Sequence, residues 1–338
     1  MFLLCVPMLV NAQNETPKPK SGYVDKMSHF RVKKKDFKKY RYLSFGGGLH
    51  FLTYFGDLAP ADKFLSTDVS QIKPGISAFA EYRYAPRASL KAELLYGRLT
   101  GDDNTSADPS QSASQSRYVR NLSFRNDIID LSITSHIYLF KNYLDYGQRS
   151  LFNAYLIAGL SVFYHNPKGK VPDFKYTGER YPNSGEWVAL QPLGTEGQHS
   201  SHYDLSPYSR VQLSVPVGGG LKFRLSDQLD FAFEINYRIL LTDYIDDVSG
   251  KYVDLGALES DMAKSMSDRS REEYAAISGE KRSLDNVETV KYISKYDGNQ
   301  YIVYRGYGQE GDGARRGGAG KDTFLVSSFK ISYVLNKP

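Results

Sequence analysis

From Ile129 to Leu139 the residues take turns. Ile129, Leu131, Ile133, Ile137 and Leu139 share one face, and Asp130, Ser132, Thr134, His136 and Tyr138 share the other. A side-chain period of two belongs to a β-strand, whose successive Cβ atoms point to opposite sides of the sheet. The same pattern sets Val211, Leu213, Val215, Val217, Leu221, Phe223 and Leu225 against Gln212, Ser214, Gly218, Gly220, Lys222 and Arg224. It recurs from Leu229 to Leu241, where the apolar residues oppose Asp230, Ala232, Glu234, Asn236 and Arg238. Eight such segments are read: 42–55, 74–85, 89–99, 127–140, 152–165, 209–225, 229–243 and 323–335.

Alternation alone does not say which face points inward. A soluble barrel buries its apolar face, and a membrane barrel turns it to lipid. Three features favour lipid. The segments reach the 9–11 residues that a tilted strand needs to cross hydrocarbon. Their polar faces mix Gly, Ser and Thr with charges of both signs, which suits a crowded lumen. The links also alternate in length: 85–88, 141–151 and 226–228 are short, whereas those after the first, third, fifth and seventh strands are long. Short periplasmic turns with long external loops are the asymmetry of outer-membrane barrels. The expected fold is therefore all-β, an eight-stranded antiparallel transmembrane β-barrel, integral to the outer membrane.

Composition agrees once it is read through this pattern. The mean hydropathy is −0.46, but a barrel averages polar loops and lumen with its lipid belt and leaves no hydropathy peak. Aromatic residues make up 14% of the chain, with 27 Tyr among them. Tyr54, Phe55, Tyr96, Tyr164, Tyr237 and Tyr333 lie near segment ends, where interfacial girdles stand. A net charge of +5 over 338 residues gives no reason to expect nucleic acid as a partner.

The apolar run Phe2–Val10 followed by Asn11-Ala12-Gln13 reads as a secretory signal over 1–13. It carries the single cysteine, Cys5, so the exported protein is expected to hold together without disulfides or thiolate metal sites. Residues 14–41 form a basic periplasmic segment, and the barrel occupies 42–338. Lys33, Lys34, Lys35, Lys38 and Lys39 in that segment are candidate contacts for an acidic protein or anionic lipid. Tyr143 and Tyr146, in the longest periplasmic turn, are further candidates.

By phase, Glu81, Arg83, Lys91, Glu93, Asp130, Lys222, Arg224, Asp230, Glu234, Arg238 and Lys330 face the lumen. Five acids against six bases predict paired charges and a filled, non-conducting interior. His50, His136 and His165 share lumen phases, and His165 falls near the external rim, where a barrel hydrolase would place its base. No nucleophile motif accompanies it. His199 and His202 lie three apart in a loop without partnering cysteines, a weak zinc signal.

Asp243, Asp246 and Asp247 crowd the start of the largest external loop. An oxygen-rich cluster suits calcium, although the spacing is not that of an EF-hand. The competing reading has them accept loop backbone N–H groups or pair with Arg117, Arg120 or Arg125. No other cofactor is expected. Arg315 and Arg316, in a glycine-rich stretch, are candidates for a lipopolysaccharide phosphate. Helix formers between Ser260 and Lys281 predict a short helix. Gly46-Gly47-Gly48 and Gly218-Gly219-Gly220 lack the context of phosphate loops and mark close backbone approach.

Several stretches carry a resemblance. Phe55-Gly56-Asp57-Leu58-Ala59-Pro60, Gly97–Asp103, Arg120–Arg125, Leu190–Gln198 and Thr242–Ser249 with Tyr252 and Asp254 resemble the PorG-type outer-membrane barrels of the Bacteroidota type IX secretion system. The resemblance spans about residues 42–335 and implies a non-enzymatic component that ties a periplasmic ring of PorK lipoprotein and PorN to the outer membrane. The barrel would also contact membrane lipids and lipopolysaccharide. It carries over no catalytic residues. Ala59, where the family more often has Asn, the long last external loop and the basic 14–41 segment depart from its pattern. The rival readings are an outer-membrane enzyme acting on lipid A or peptide, and an OmpA-like structural or adhesion barrel.

Overall fold

The computed structural model describes residues 41–58, 71–107, 112–141, 149–311, 316–317 and 320–335. Twelve strands are present among them. Eight build the barrel: β1 (Tyr42–Phe55), β2 (Lys73–Ala85), β3 (Ala88–Asp102), β4 (Ser123–Tyr138), β5 (Phe152–Tyr164), β8 (Val211–Arg224), β9 (Leu229–Leu240) and β12 (Thr323–Val334). Each pairs antiparallel with its neighbours, and β1 closes on β12 through twelve register pairs from Ser44↔Val334 to Phe55↔Thr323. Closure leaves no free edge, which is what lets strands cross a hydrocarbon layer. At ~3.3 Å per residue and a tilt near 40°, strands of 12–16 residues cover the ~30 Å core.

Alternation turns the apolar faces outward. Leu49, Ile76, Leu94, Ile133, Leu160, Leu213 and Ile331 are exposed, several by more than half. The chain is an eight-stranded transmembrane β-barrel. Its aromatic girdles are in place: Tyr96 and Tyr164 flank Ile129 across neighbouring strands near the loop end, and Phe152, Phe223 and Phe231 adjoin near the turn end. Tyr54 is a correction. It is buried and turned inward, because its phase on β1 is that of His50 and Leu52.

The lumen is filled in layers. At the turn end Arg149 reaches across to Asp230 at 2.7 Å and to the Asp227 carbonyl at 2.8 Å. Next, Lys222 donates to Glu81 at 2.6 Å and to the Tyr138 hydroxyl, which in turn donates to Glu81. Mid-barrel, Lys91 and Lys330 interleave with Glu93 and Glu234: Lys91 donates to Glu234 at 2.8 Å, and Lys330 to both acids at 2.6 and 2.7 Å. Alternating signs are the arrangement in which buried charges remain tolerable. Gly46 has room only because it lacks a side chain, since a Cβ there would sit 2.4 Å from the Phe79 ring. Towards the loop end the filling becomes apolar, with Leu52, Leu95, Leu99, Phe124, Ile128, Leu240 and Phe324 in one cluster.

Above this plug the long links fold into a cap. It contains α1 (Asp103–Ser106), α2 (Ser112–Arg120), β6 (Pro167–Lys170), β7 (Trp187–Ala189), α3 (Asp261–Ser267) and the hairpin β10 (Thr289–Ile293)–β11 (Gln300–Tyr304). Val253, Leu255, Leu258, Ala263, Tyr301 and Val303 give it a small core of its own. The short helix expected between Ser260 and Lys281 is α3, capped by the Ser260 hydroxyl on the Ala263 N–H. Beyond it the chain turns into an arm closed by a Tyr274↔Lys281 bridge.

Candidate functional site

The stretches that carry the family resemblance meet at the loop-end mouth. Arg120, at the end of α2, donates twice to Asp103 at 2.7 Å and once each to the carbonyls of Asp57 and Arg316. Arg316 donates to Glu196 at 3.2 Å and to the Asp247 carbonyl at 2.6 Å, with further bonds to Met266 and Ser267 carbonyls. Arg282 donates to four carbonyls, those of Tyr118, Val119, Ser270 and Glu272. Loops with little regular structure leave carbonyls without partners, and a guanidinium offers five donors in a rigid fork. Buried arginines therefore cross-link the loops of the cap. No cysteine lies among the described residues.

The three aspartates that are sequence candidates for calcium accept hydrogen bonds from protein donors. Asp243 accepts from the Ser249 hydroxyl at 2.8 Å and the Asp322 N–H at 3.2 Å. Asp246 accepts from the Val248 N–H at 2.9 Å and the Tyr54 hydroxyl at 2.6 Å. Asp247, held at φ 72°, accepts from Tyr208 at 2.7 Å and Thr195 at 2.5 Å and lies 3.5 Å from Arg316. They face separate partners, and among the described residues no group of three His, Cys, Asp or Glu is arranged for a metal. Their partners are backbone and hydroxyl donors, and the cation beside them is Arg316. Arg316 serves Asp247, whereas Arg120 serves Asp103 and Arg125 lies near Asp127 and over the Trp187 ring.

Tyr54 contacts two carboxyls, Asp246 at 2.6 Å and Asp322 at 2.8 Å. A phenol has one proton to donate, so satisfying both contacts requires a proton on one acid. Burial and mutual repulsion agree: Asp246 is raised well above the usual carboxylate range, and Asp322 is pushed up to about 8. Burial also lifts Asp247 to about 6 against the pull of Arg316.

His165 contacts a backbone carbonyl and an aromatic ring. Its Nε2 bonds the Ser209 carbonyl at 3.1 Å, its ring stacks on Tyr208, and burial lowers its pKa to about 4. This is a neutral ring wedged under the cap. His50 spans the Ser77 and Ser328 hydroxyls inside the lumen. His199 and His202 part company, one to the Gln191 carbonyl and the other against the Tyr296 ring. Arg316 is too buried to meet a lipopolysaccharide phosphate, and Arg315 lies outside the described residues. So do Lys33, Lys34, Lys35, Lys38, Lys39, Tyr143 and Tyr146. Sequence reasoning missed Tyr54, Glu196 and Asp322 as parts of the mouth. The one available signal was an Asp directly before the last strand.

No protein-family model matches the sequence, and no curated protein matches it. Solved structures with similarity include Ail of Yersinia pestis (8% identity, 87% of this chain and 97% of that one, TM-score 0.31). Neisserial surface protein A is 9% identical over 86% and 96%, at a TM-score of 0.35. A major outer membrane protein from Thermus thermophilus is 11% identical over 87% and 99%, at 0.37. The architecture itself rests on the strand pairing described above.

Proposed function

We propose that this protein is a non-enzymatic outer-membrane barrel of the type IX secretion machinery, serving as an anchor or scaffold for the periplasmic PorK/PorN ring. The observation that carries the reading is the filled lumen under a pinned cap. Among the described residues, four buried ionic groups across the middle of the barrel and an apolar plug above them close the lumen, so the barrel offers surfaces and not a conduit. The stretches resembling PorG-type barrels supply much of the pinning, through Asp103, Arg120, Glu196 and Asp247. Their role is thus to build the external cap, and a periplasmic partner falls to the short turns and the basic segment. An OmpA-like structural barrel shares this architecture, and the partner separates the two.

The experiment is a pull-down of the tagged, membrane-extracted protein combined with a clean deletion. The reading expects PorK and PorN to co-purify and secreted cargo to accumulate in the periplasm. Replacing Lys33, Lys34, Lys35, Lys38 and Lys39 by Ser should weaken the capture while the barrel still assembles. Normal secretion in the deletion strain, with no ring protein captured, would overturn it.

A further inference from the structure

The cap carries a cleft of about 610 Å³ that none of the groups above uses. Its walls are two arms, each closed by a single β-bridge, Phe174↔Arg180 on one and Tyr274↔Lys281 on the other. Each arm turns near a glycine held at positive φ, Gly178 at 89° and Gly279 at 71°. The volume is that of a small-molecule site, about 300–1,000 Å³. Since long loops of a barrel face the outside, the cleft opens to the medium or to the cell's own surface layer.

Its chemistry narrows the occupant. Phe174 and Tyr274 line the cleft yet remain 60% and 49% exposed, although aromatic rings of this size gain most from being covered. The polar groups between them are already held in place. Arg269 forks onto Glu272 at 2.6 and 2.9 Å and donates to the Lys170 carbonyl, while Asp268 accepts from Tyr176 and the Ser270 N–H. Four basic and four acidic side chains line the cleft, so it has no net charge with which to select a polyanion or a polycation. Ionised walls also disfavour an acyl chain. What remains is a ligand with flat C–H faces for the rings and many hydroxyls for fixed carboxylates and guanidiniums.

We propose that this cleft binds an uncharged oligosaccharide, with Phe174 and Tyr274 as stacking platforms. The inference is independent of the secretion reading and needs only that the long loops be external. The ligand's source is either the cell's own surface polysaccharide or free saccharide in the medium.

The test uses the full-length protein in nanodiscs and saturation-transfer NMR. One arm offers the delipidated surface polysaccharide of the producing cell. A second offers maltohexaose, cellohexaose and chitohexaose, and a third a heparin hexasaccharide and an acidic peptide. Saturation transfer to a saccharide in the first or second arm, weakened at least tenfold in both Phe174→Ala and Tyr274→Ala, is expected, and the responding arm names the source. Both side chains are exposed, so the variants should fold. Ile293→Ala, an exposed apolar position on β10, should leave binding unchanged. The proposal is overturned by no transfer in the first two arms, by binding restricted to the third, or by saccharide binding that survives the double variant.

Discussion

Lys91 and Glu234 lie 143 positions apart in the chain and meet at 2.8 Å in the middle of the barrel. Lys330 closes the far side of the same acid and joins it to Glu93, so that each carboxylate is shared by two ammonium groups. Tyr155 adds a hydroxyl donor to Glu234 at 2.8 Å. The ring couples β3, β9 and β12, strands whose backbones are not all neighbours.

Removing one member should be costly. Glu234→Ala leaves two lysines facing a single acid, and uncompensated buried charge typically costs about 3–5 kcal/mol. Urea unfolding of the barrel in liposomes, followed by its heat-modifiable gel shift, measures this. The apolar pair Lys91→Met with Glu234→Leu should recover much of the loss. A cost below about 1 kcal/mol for Glu234→Ala would show that the ring does not bear on stability.

Filling also predicts electrical silence. Planar bilayers containing the protein should show no porin-like conductance steps. Arg149→Ala, which strips Asp230 of the guanidinium at 2.7 Å, should remain closed, because Lys222, Glu81 and Tyr138 still fill the layer above. Regular open-channel steps from the unaltered protein would contradict the lumen packing.

Arg316 should matter to the cap and not to the barrel. It binds Glu196, the Asp247 carbonyl and two further carbonyls with almost no exposure. Arg316→Ala removes the guanidinium from the three carbonyls and leaves Glu196, still held by the Ser249 and Gly250 N–H groups, without its counter-charge, at about 3–5 kcal/mol for the broken buried pair. The expected outcome is rapid proteolysis within 241–311 while the membrane-embedded strands stay resistant and heat-modifiable. Arg316→Lys, a point charge without the fork, should fall between the two.

The Tyr54 cluster gives the cap a pH dependence of known sign. Asp246 and Asp322 are raised in the folded state from an unfolded value near 3.9, Asp322 to about 8, so the folded form holds more protons through that window. Their contribution is fully present below about pH 4 and is lost as the pH rises towards 8. Each bound proton lost is worth up to about 1.4 kcal/mol per pH unit. Cap protease resistance, scanned from pH 4 to 9, should decline on the alkaline side. Asp322→Asn, which cannot ionise, should flatten the profile; an unchanged slope would remove the shared proton from the account.

Alternation made the barrel legible. Strands read as 42–55 and 323–335 appear at Tyr42–Phe55 and Thr323–Val334, and Glu81, Lys91, Glu93, Asp130, Glu234 and Lys330 are buried inside as their phase required. The reading faltered where the period ends. Tyr54 reads as a girdle residue from its place near a segment end yet turns inward, whereas the short helix expected between Ser260 and Lys281 is present as α3.

The sequence by itself determined the fold class and which residues share a face of each strand, since a period of two is a local property that survives any tertiary arrangement. Only the tertiary structure decided the partners: which lysine meets which glutamate, that Arg316 and not Arg120 serves Asp247, and that Asp246 and Asp322 share Tyr54. Those contacts join residues from separate loops and strands. No local pattern encodes them, because barrel closure and the packing of the cap, not spacing along the chain, bring them within reach.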